Sequence, residues 1–199
     1  MKLCFYGASS RTIDPFYKEE VEKLARCCAR RGHSLVFGGG KEGCMGAAAR
    51  GFRAEGGKVL GIAPRFFNAD GVLDPDCTEM IFTDTMRERK QLLETRSDAF
   101  VVMPGGVGTF DEFFEILCLK QIGRHEKPIA LFNPGAFYDP LLAFLKSVAE
   151  KNFMSQTVNE ELYRAFSEPE ALCLYLETYR PASYSLEELK DVGEENGKR

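Results

Sequence analysis

Histidine is scarce in this chain of 199 residues: His33 and His125 are the only two, and both stand beside predicted strand starts rather than in ligand spacing, which argues against most zinc sites. The seven cysteines (Cys4, Cys27, Cys28, Cys44, Cys77, Cys118 and Cys173) contain no C-x-x-C pair. Their odd number and apolar surroundings predict reduced thiols packed as small hydrophobes, and no metal is expected. Basic charge is not in excess either. Lysine and arginine number 26 against 30 aspartates and glutamates, a net charge of −4, so no nucleic-acid partner is expected and any phosphate is recognised locally. No apolar run approaches the ~18 residues of a membrane span, and "MKLCFYG" lacks the extended apolar region and small-residue cleavage site of a secretory signal. The expectation is a soluble, cytoplasmic protein with no membrane partner.

What the chain does have is a regular alternation of short β-rich runs and helical patterns. Strands are predicted at residues 2–6, 34–37, 58–63, 79–82, 99–103 and 128–132, and helices at 15–31, 44–55, 85–96, 109–122 and 137–151. Pro15 behind Asp14 reads as a first-turn proline after an N-cap. With 44% hydrophobic residues the length suits one core. The predicted fold class is α/β: a single domain over residues 1–182, built on a doubly wound parallel sheet with helices on both faces, then a polar, frayed tail at 183–199. In such sheets ligands bind beyond the carboxyl ends of the strands, where strand order reverses. Three predicted strands end in small turns there: "YGASS" (6–10), "FGGGKEGCMG" (37–46) and "MPGGVGT" (103–109). The stretch 64–78 reads as a loop able to cover the site.

The segment "MPGGVGTFDEFFE" (103–115) sets three glycines and a proline beside three carboxylates. A glycine-rich turn entering a helix offers backbone N–H groups and the positive helix end to an anion such as phosphate, which the acids should repel. A ligand with two ends, a phosphate for the backbone and a sugar carbon for the acid, reconciles them. Gly38, Gly40 and Gly43 satisfy G-x-G-x-x-G, but the next strand end, "GIAPRF", carries no acid to hold a ribose hydroxyl. Arg65 there leaves an opening for a 2′-phosphate. Neither glycine turn continues into Gly-Lys-Ser/Thr, so the nucleoside triphosphate loop is missing.

Thr109 and Glu112 also fit the capping box T-x-x-E, an explanation in which Glu112 serves only its own helix. Against it, Phe110, Phe113, Phe114 and Leu117 form a core stripe from which Glu112 points away. Glu112 can then face a cleft, with Ile116 and Leu119 beside it available to pack on a second chain. In "MRERKQLLETR" (86–96), Met86 and Leu93 define one helix face, and Arg89 and Lys90 lie between them on it. Cations on an apolar face must reach water, a carboxylate (Glu94 for Lys90), or an anion. A phosphate at the glycine turns satisfies both.

"PGGVGTFDE" (104–112) resembles, position for position, the P-G-G-x-G-T-x-x-E signature of the LOG family of cytokinin riboside 5′-monophosphate phosphoribohydrolases, and "MRERK" (86–90) is similar to that family's M-H-x-R-K. "GASS" (7–10) and "GGGKEGCMG" (38–46) are similar to its other glycine segments, so the resemblance spans residues 1–180. It implies a Rossmann-like homodimer, without a cofactor, that hydrolyses the N-glycosidic bond of a purine riboside 5′-monophosphate to free base and ribose 5-phosphate. Arg89 and Glu112 are implied as the catalytic pair. Lys90, Gly105, Gly106, Val107, Gly108, Thr109, Phe110, Asp111, Ser9, Gly39 and Met86 are implied as substrate-binding residues. The chemistry suits these roles: bond breaking makes the sugar oxocarbenium-like, so a carboxylate can stabilise C1′ and take a proton from water, while an arginine orients the substrate.

The sequence departs from the family pattern where Arg87 replaces the histidine of M-H-x-R-K, where Phe66 replaces a glutamate common in plant members, and at Cys118, where those members carry threonine. These departures lie near the base pocket and leave cytokinin or adenine preference open. A carrier of a nucleotide-like cofactor on the same fold is the main rival, and an NADP oxidoreductase a third possibility. Pyridoxal-dependent lysine decarboxylation has no supporting pattern around any lysine.

Overall fold

The computed structural model describes residues 1–68 and 71–181; the tail expected at 183–199 lies outside them. The elements run β1 (Lys2–Tyr6), α1 (Pro15–Arg30), β2 (Ser34–Phe37), α2 (Gly43–Ala54), β3 (Val59–Pro64), β4 (Glu79–Thr83), α3 (Met86–Thr95), β5 (Ala99–Val102), α4 (Val107–Gln121), β6 (Ile129–Phe132), α5 (Asp139–Glu150), α6 (Gln156–Glu161), β7 (Arg164–Phe166) and α7 (Pro169–Thr178), with short 3-10 turns at Arg65–Phe67 and Pro134–Ala136.

Seven strands form one parallel sheet in the order β4-β3-β2-β1-β5-β6-β7. From β1 the chain winds outward through β2, β3 and β4, then returns to the other edge of β1 as β5 and continues to β6 and β7. Strand order therefore reverses between β1 and β5, as a doubly wound sheet requires. Near-continuous apolar runs such as "AFVV" and "IALF" are buried throughout, which a strand covered on both faces needs. Alternate side chains enter opposite layers. Leu3 and Phe5 pack with Leu24 of α1, Ala48 of α2 and Leu172 of α7, while Cys4 and Tyr6 pack with Leu93 of α3, Phe113 of α4, Leu145 of α5 and Val158 of α6.

Local signals were largely realised. Asp14 caps α1 by accepting from the Phe16 amide at 2.9 Å, with Pro15 in the first turn. The loop after β3 folds back over the glycine turn that follows β2: Asp74 N donates to Gly39 O (2.8 Å) and Lys41 N to Val72 O (3.2 Å), and Asp74 accepts from Arg53 at 2.6 Å. Among the described residues no helix is long and apolar enough to cross a membrane.

Three differences from the sequence expectations matter. First, α6, β7 and α7 were not predicted; β7 is a three-residue edge strand that is largely exposed and so shows no apolar alternation. Second, α4 starts at Val107 with Gly106 as its N-cap, two residues earlier than predicted. Third, its buried face is Phe113, Ile116, Leu117 and Lys120, the i, i+3, i+4, i+7 set. Phe114 falls off that face and points outward, whereas Ile116, 2% exposed, belongs to the core and accepts a hydrogen bond at its carbonyl from His125 Nε2. Ile116 therefore cannot pack on a second chain.

Candidate active site

The turns that leave β1 and β5 are tied together. Met103 N donates to Tyr6 O at 2.8 Å and Ala8 N to Pro104 O at 3.1 Å, and the buried Tyr138 hydroxyl donates to Met103 O at 2.5 Å. Above them, at the reversal point, opens a cleft of about 370 Å³ lined by Gly7 to Ser10, Met45, Phe67, Met86, Arg89, Gly106, Gly108, Thr109, Asp111 and Glu112, a volume suited to a small molecule. A second chamber of about 240 Å³ shares Ser9, Met45, Phe67 and Arg89 with it and extends to Arg11, Gly38, Gly40, Glu42 and Gly71 to Leu73.

One end of the cleft is backbone. No side chain caps α4, and its first closing hydrogen bond runs from Phe110 N to Gly106 O, which leaves the amides of residues 107–109 without helical partners. Gly106 and Gly108 both have negative φ, and a Cβ on either would meet nothing within 4 Å. Neither conformation nor packing within this chain asks for glycine there, and the start of α4 is left open to close approach. The G-x-G-x-x-G glycines differ. Gly43 has φ +61° and a Cβ on it would lie 2.5 Å from Ala8 O, and a Cβ on Gly38 would collide with the Arg89 guanidinium. Chain geometry accounts for these two without a dinucleotide.

The other end is a buried ion pair. Arg89, 7% exposed, donates through Nη1 to Glu112 Oε1 at 2.7 Å and through Nε to Ile62 O at 3.2 Å. Burial raises the Glu112 carboxyl above its ordinary pKa, and the guanidinium pulls against that rise. Behind Glu112, burial pushes the Cys4 thiol up to about 12 and the Tyr6 phenol well above its usual value, so this wall stays neutral. The capping box imagined for Thr109 and Glu112 is not formed: Thr109 lies inside the first turn, packed over Gly105, and Glu112 is already in the second. A real capping box opens α3 instead, where Thr85 Oγ1 accepts from Glu88 N (3.1 Å) and Glu88 Oε2 accepts from Thr85 N (3.3 Å), fixing the turn that carries Arg89.

Of the residues singled out in the sequence, Ser9, Met86, Arg89, Gly106, Gly108, Thr109, Asp111 and Glu112 meet at the cleft. Gly105 lies beneath Thr109, Gly39 serves the turn with φ +77°, and the Phe110 ring packs edge-on to Tyr138. The Val107 side chain is 85% exposed, so it contributes through its backbone. Lys90 parts company with Arg89, because successive helical residues are about 100° apart around the axis. Its amine reaches Glu115 at 2.6 Å and Asp111 at 3.1 Å, not Glu94, and it lines a crevice behind Glu112. Arg65 is exposed and pairs with Asp84 at 3.0 Å, outside both chambers. Sequence reasoning missed Gly7, Ala8, Ser10 and Met45, although their segments had been noticed, and Phe67, which lies in the stretch 64–78 expected to cover the site.

Residues 45–176 match the family model described as "possible lysine decarboxylase". The chain is 42% identical over 144 residues to a cytokinin riboside 5′-monophosphate phosphoribohydrolase of Mycobacterium tuberculosis, covering 72% of this chain and 77% of that one. A protein of the same name from Arabidopsis thaliana is 34% identical over 180 residues, covering 90% and 84%. Among solved structures, a molybdenum cofactor binding protein from Rippkaea orientalis superposes with a TM-score of 0.66 at 20% identity over 89% of this chain and 94% of its own. The molybdenum cofactor carrier protein of Chlamydomonas reinhardtii gives 0.68 at 18% over 88% and 95%. These two show a shared fold.

Since Gly108 is helical and faces open space, Gly108→Ala should leave thermal stability unchanged or raise it by up to about 1 kcal/mol. A loss of similar size in a melting experiment would mean that packing, not a ligand, demands the glycine.

Proposed function

The chain belongs to the LOG family of cytokinin riboside 5′-monophosphate phosphoribohydrolases, and from that premise we propose that the cleft binds a purine riboside 5′-monophosphate with Arg89 and Glu112 as its catalytic pair. The reaction is hydrolysis of the N-glycosidic bond, giving free base and ribose 5-phosphate. One observation carries the assignment: a buried carboxylate paired to a guanidinium at 2.7 Å shares a cleft with an uncapped helix N-terminus. The amides of residues 106–109 take the 5′-phosphate. Ser9 and Asp111 offer polar groups to the ribose, and the second chamber, with Met45, Phe67, Val72 and Leu73, offers an apolar wall to the base.

In this arrangement Glu112 faces C1′ as the bond to the base lengthens and the sugar gains oxocarbenium character. Its carboxylate stabilises that charge and accepts the proton of the attacking water. Arg89 works against the burial that raises the Glu112 pKa and fixes its orientation. Lys90 holds α3 to α4 through Asp111 and Glu115. A pyridoxal-dependent decarboxylation would need a lysine beside the cofactor; none lines either chamber, and the buried Lys120, its amine lowered to about 8 by burial, donates to Leu162 O at the far end of α4. A cofactor-binding or carrier role, as the names of the two fold neighbours give for those proteins, leaves the acid without a task.

Incubation with AMP, GMP, CMP and isopentenyladenosine monophosphate, assaying base and ribose 5-phosphate, should show turnover of a purine monophosphate and little action on dephosphorylated nucleosides; equal rates on both would contradict the phosphate assignment. Glu112→Gln should lower kcat by about 10²–10⁴-fold with the fold intact. Arg89→Lys belongs beside Arg89→Ala, because deleting a buried partner costs roughly 3–5 kcal/mol and can unfold the chain. Because Glu112 must be ionised to act, kcat should rise with pH along an acid limb whose midpoint lies above the ~4.3 of an ordinary glutamate; a midpoint at or below that value contradicts the role.

A homodimer and a cytoplasmic location complete the proposal. Phe114 and Cys118 on the outer face of α4 and Ile122 at its C-cap, spaced i, i+4 and i+8, remain exposed, and this stripe supports the interface in place of Ile116. Ile122→Lys should halve the sedimenting mass, and an unchanged profile would refute the interface.

A further inference from the structure

Away from the cleft, three thiols from two distant parts of the chain converge. Cys27 and Cys28 lie in the last turn of α1 and Cys173 in α7, with Cys28 Sγ 3.4 Å and Cys27 Sγ 3.5 Å from Cys173 Sγ. Helix α1 runs antiparallel to the strands, and Cys28 O accepts from His33 N just before β2. The cluster thus sits at the amino-terminal edge of the sheet, opposite the cleft, and takes no part in the hydrolysis. The same junction is latched by polar contacts: Glu177 of α7 accepts from Arg31 at 2.8 Å and pairs with His33 Nε2 at 3.1 Å.

We propose that Cys173 is the hub of a reversible disulfide, formed with Cys28 or Cys27 on exposure to a peroxide, that staples α7 to α1. A disulfide needs sulfurs at ~2.05 Å, so closure asks for about 1.4 Å of approach, within reach of side-chain rotation on two packed helices. Cys27, 5% exposed, is the one member of the cluster with residual solvent contact and marks the side on which a small oxidant enters. Contact with Cys28 holds the Cys173 thiol below its ordinary pKa, with Cys27 and Arg31 acting in the same direction against burial, whereas Cys28 and Cys27 are raised. Cys173 is therefore the sulfur that ionises first.

The chemistry balances with hydrogen peroxide as the named oxidant. The Cys173 thiolate attacks one peroxide oxygen; an S–O bond forms, the O–O bond breaks, and hydroxide leaves to take up the proton that Cys173 released. The Cys28 thiol then attacks the sulfenic sulfur, the S–S bond forms, the S–O bond breaks, and the hydroxyl departs as water with the Cys28 proton. Two thiols lose two electrons and two protons, and one peroxide becomes two waters. Attack by the Cys27 thiol on the same sulfenic sulfur balances in the same way and gives the Cys27–Cys173 disulfide instead.

The test is peroxide titration of the full chain, alkylation of remaining thiols and peptide mapping, with an added cysteine-containing peptide as the internal marker of dose. At doses that fully oxidise the added peptide, the map should show an α1 peptide joined to the α7 peptide, about 2 Da lighter than the sum of the two thiol peptides. Dithiothreitol should reverse it, and the melting temperature should rise by about 5 °C or more while the link is present. Cys173→Ser, or Cys173→Ala if serine is not tolerated, should abolish the link, and Cys28→Ser should leave a Cys27–Cys173 link. Recovery of all three thiols in alkylated form at those doses, or of Cys173 as sulfinic acid with no joined peptide, would overturn the proposal.

Discussion

A guanidinium and a carboxylate 2.7 Å apart, both nearly out of water, hold the cleft in one shape. Such a pair adds little net stability, since stripping two ions of water costs about what their attraction returns. Its consequence is positional. Arg89 also donates to Ile62 O on β3, Gly38 beyond β2 must lack a side chain to admit the guanidinium, and Glu112 belongs to α4. One side chain thereby binds elements on both sides of the strand-order reversal, and each becomes a condition for the others, because any loss leaves a buried charge alone.

From that constraint follows a cleft with two unlike ends. At one, α4 begins on glycines whose missing side chains leave room for a ligand and whose amides have no helical partner. At the other, burial makes Glu112 a stronger base than a surface glutamate, while Arg89 pulls against that rise. The neutral thiol and phenol behind it add no competing charge. In the proposed function, a phosphate at the first end and a sugar carbon at the second need only a ribose between them, and on that reading acid and anion site can share so short a segment.

Much of this was legible in the sequence, for identifiable reasons. Strands β1, β2, β3, β5 and β6 announce themselves because strands covered on both faces are nearly continuous apolar runs, and the reversal point could be anticipated from three glycine turns at strand ends. Edge strand β7 offers "RAF", too short and too exposed to carry a pattern. The capping box T-x-x-E at Thr109 and Glu112 was ambiguous at the level of spacing, and only the true start of α4 at Val107 resolves it. Arg89 and Lys90 looked equivalent on an apolar face, yet helical rotation sends one to Glu112 and the other to Glu115 and Asp111. Ile116 and Phe114 exchanged their expected places because the buried face of α4 depends on its packing against the sheet. The trio of Cys27, Cys28 and Cys173 is invisible without the fold, which brings together residues 145 apart.

The most direct test of the central claim is a crystal structure of Glu112→Gln soaked with a purine riboside 5′-monophosphate. The account predicts the phosphate on the amides of residues 106–109 and the anomeric carbon beside the side chain of residue 112, with Arg89 still in contact with that side chain. A phosphate bound away from the start of α4, or an anomeric carbon out of reach of residue 112, would contradict it.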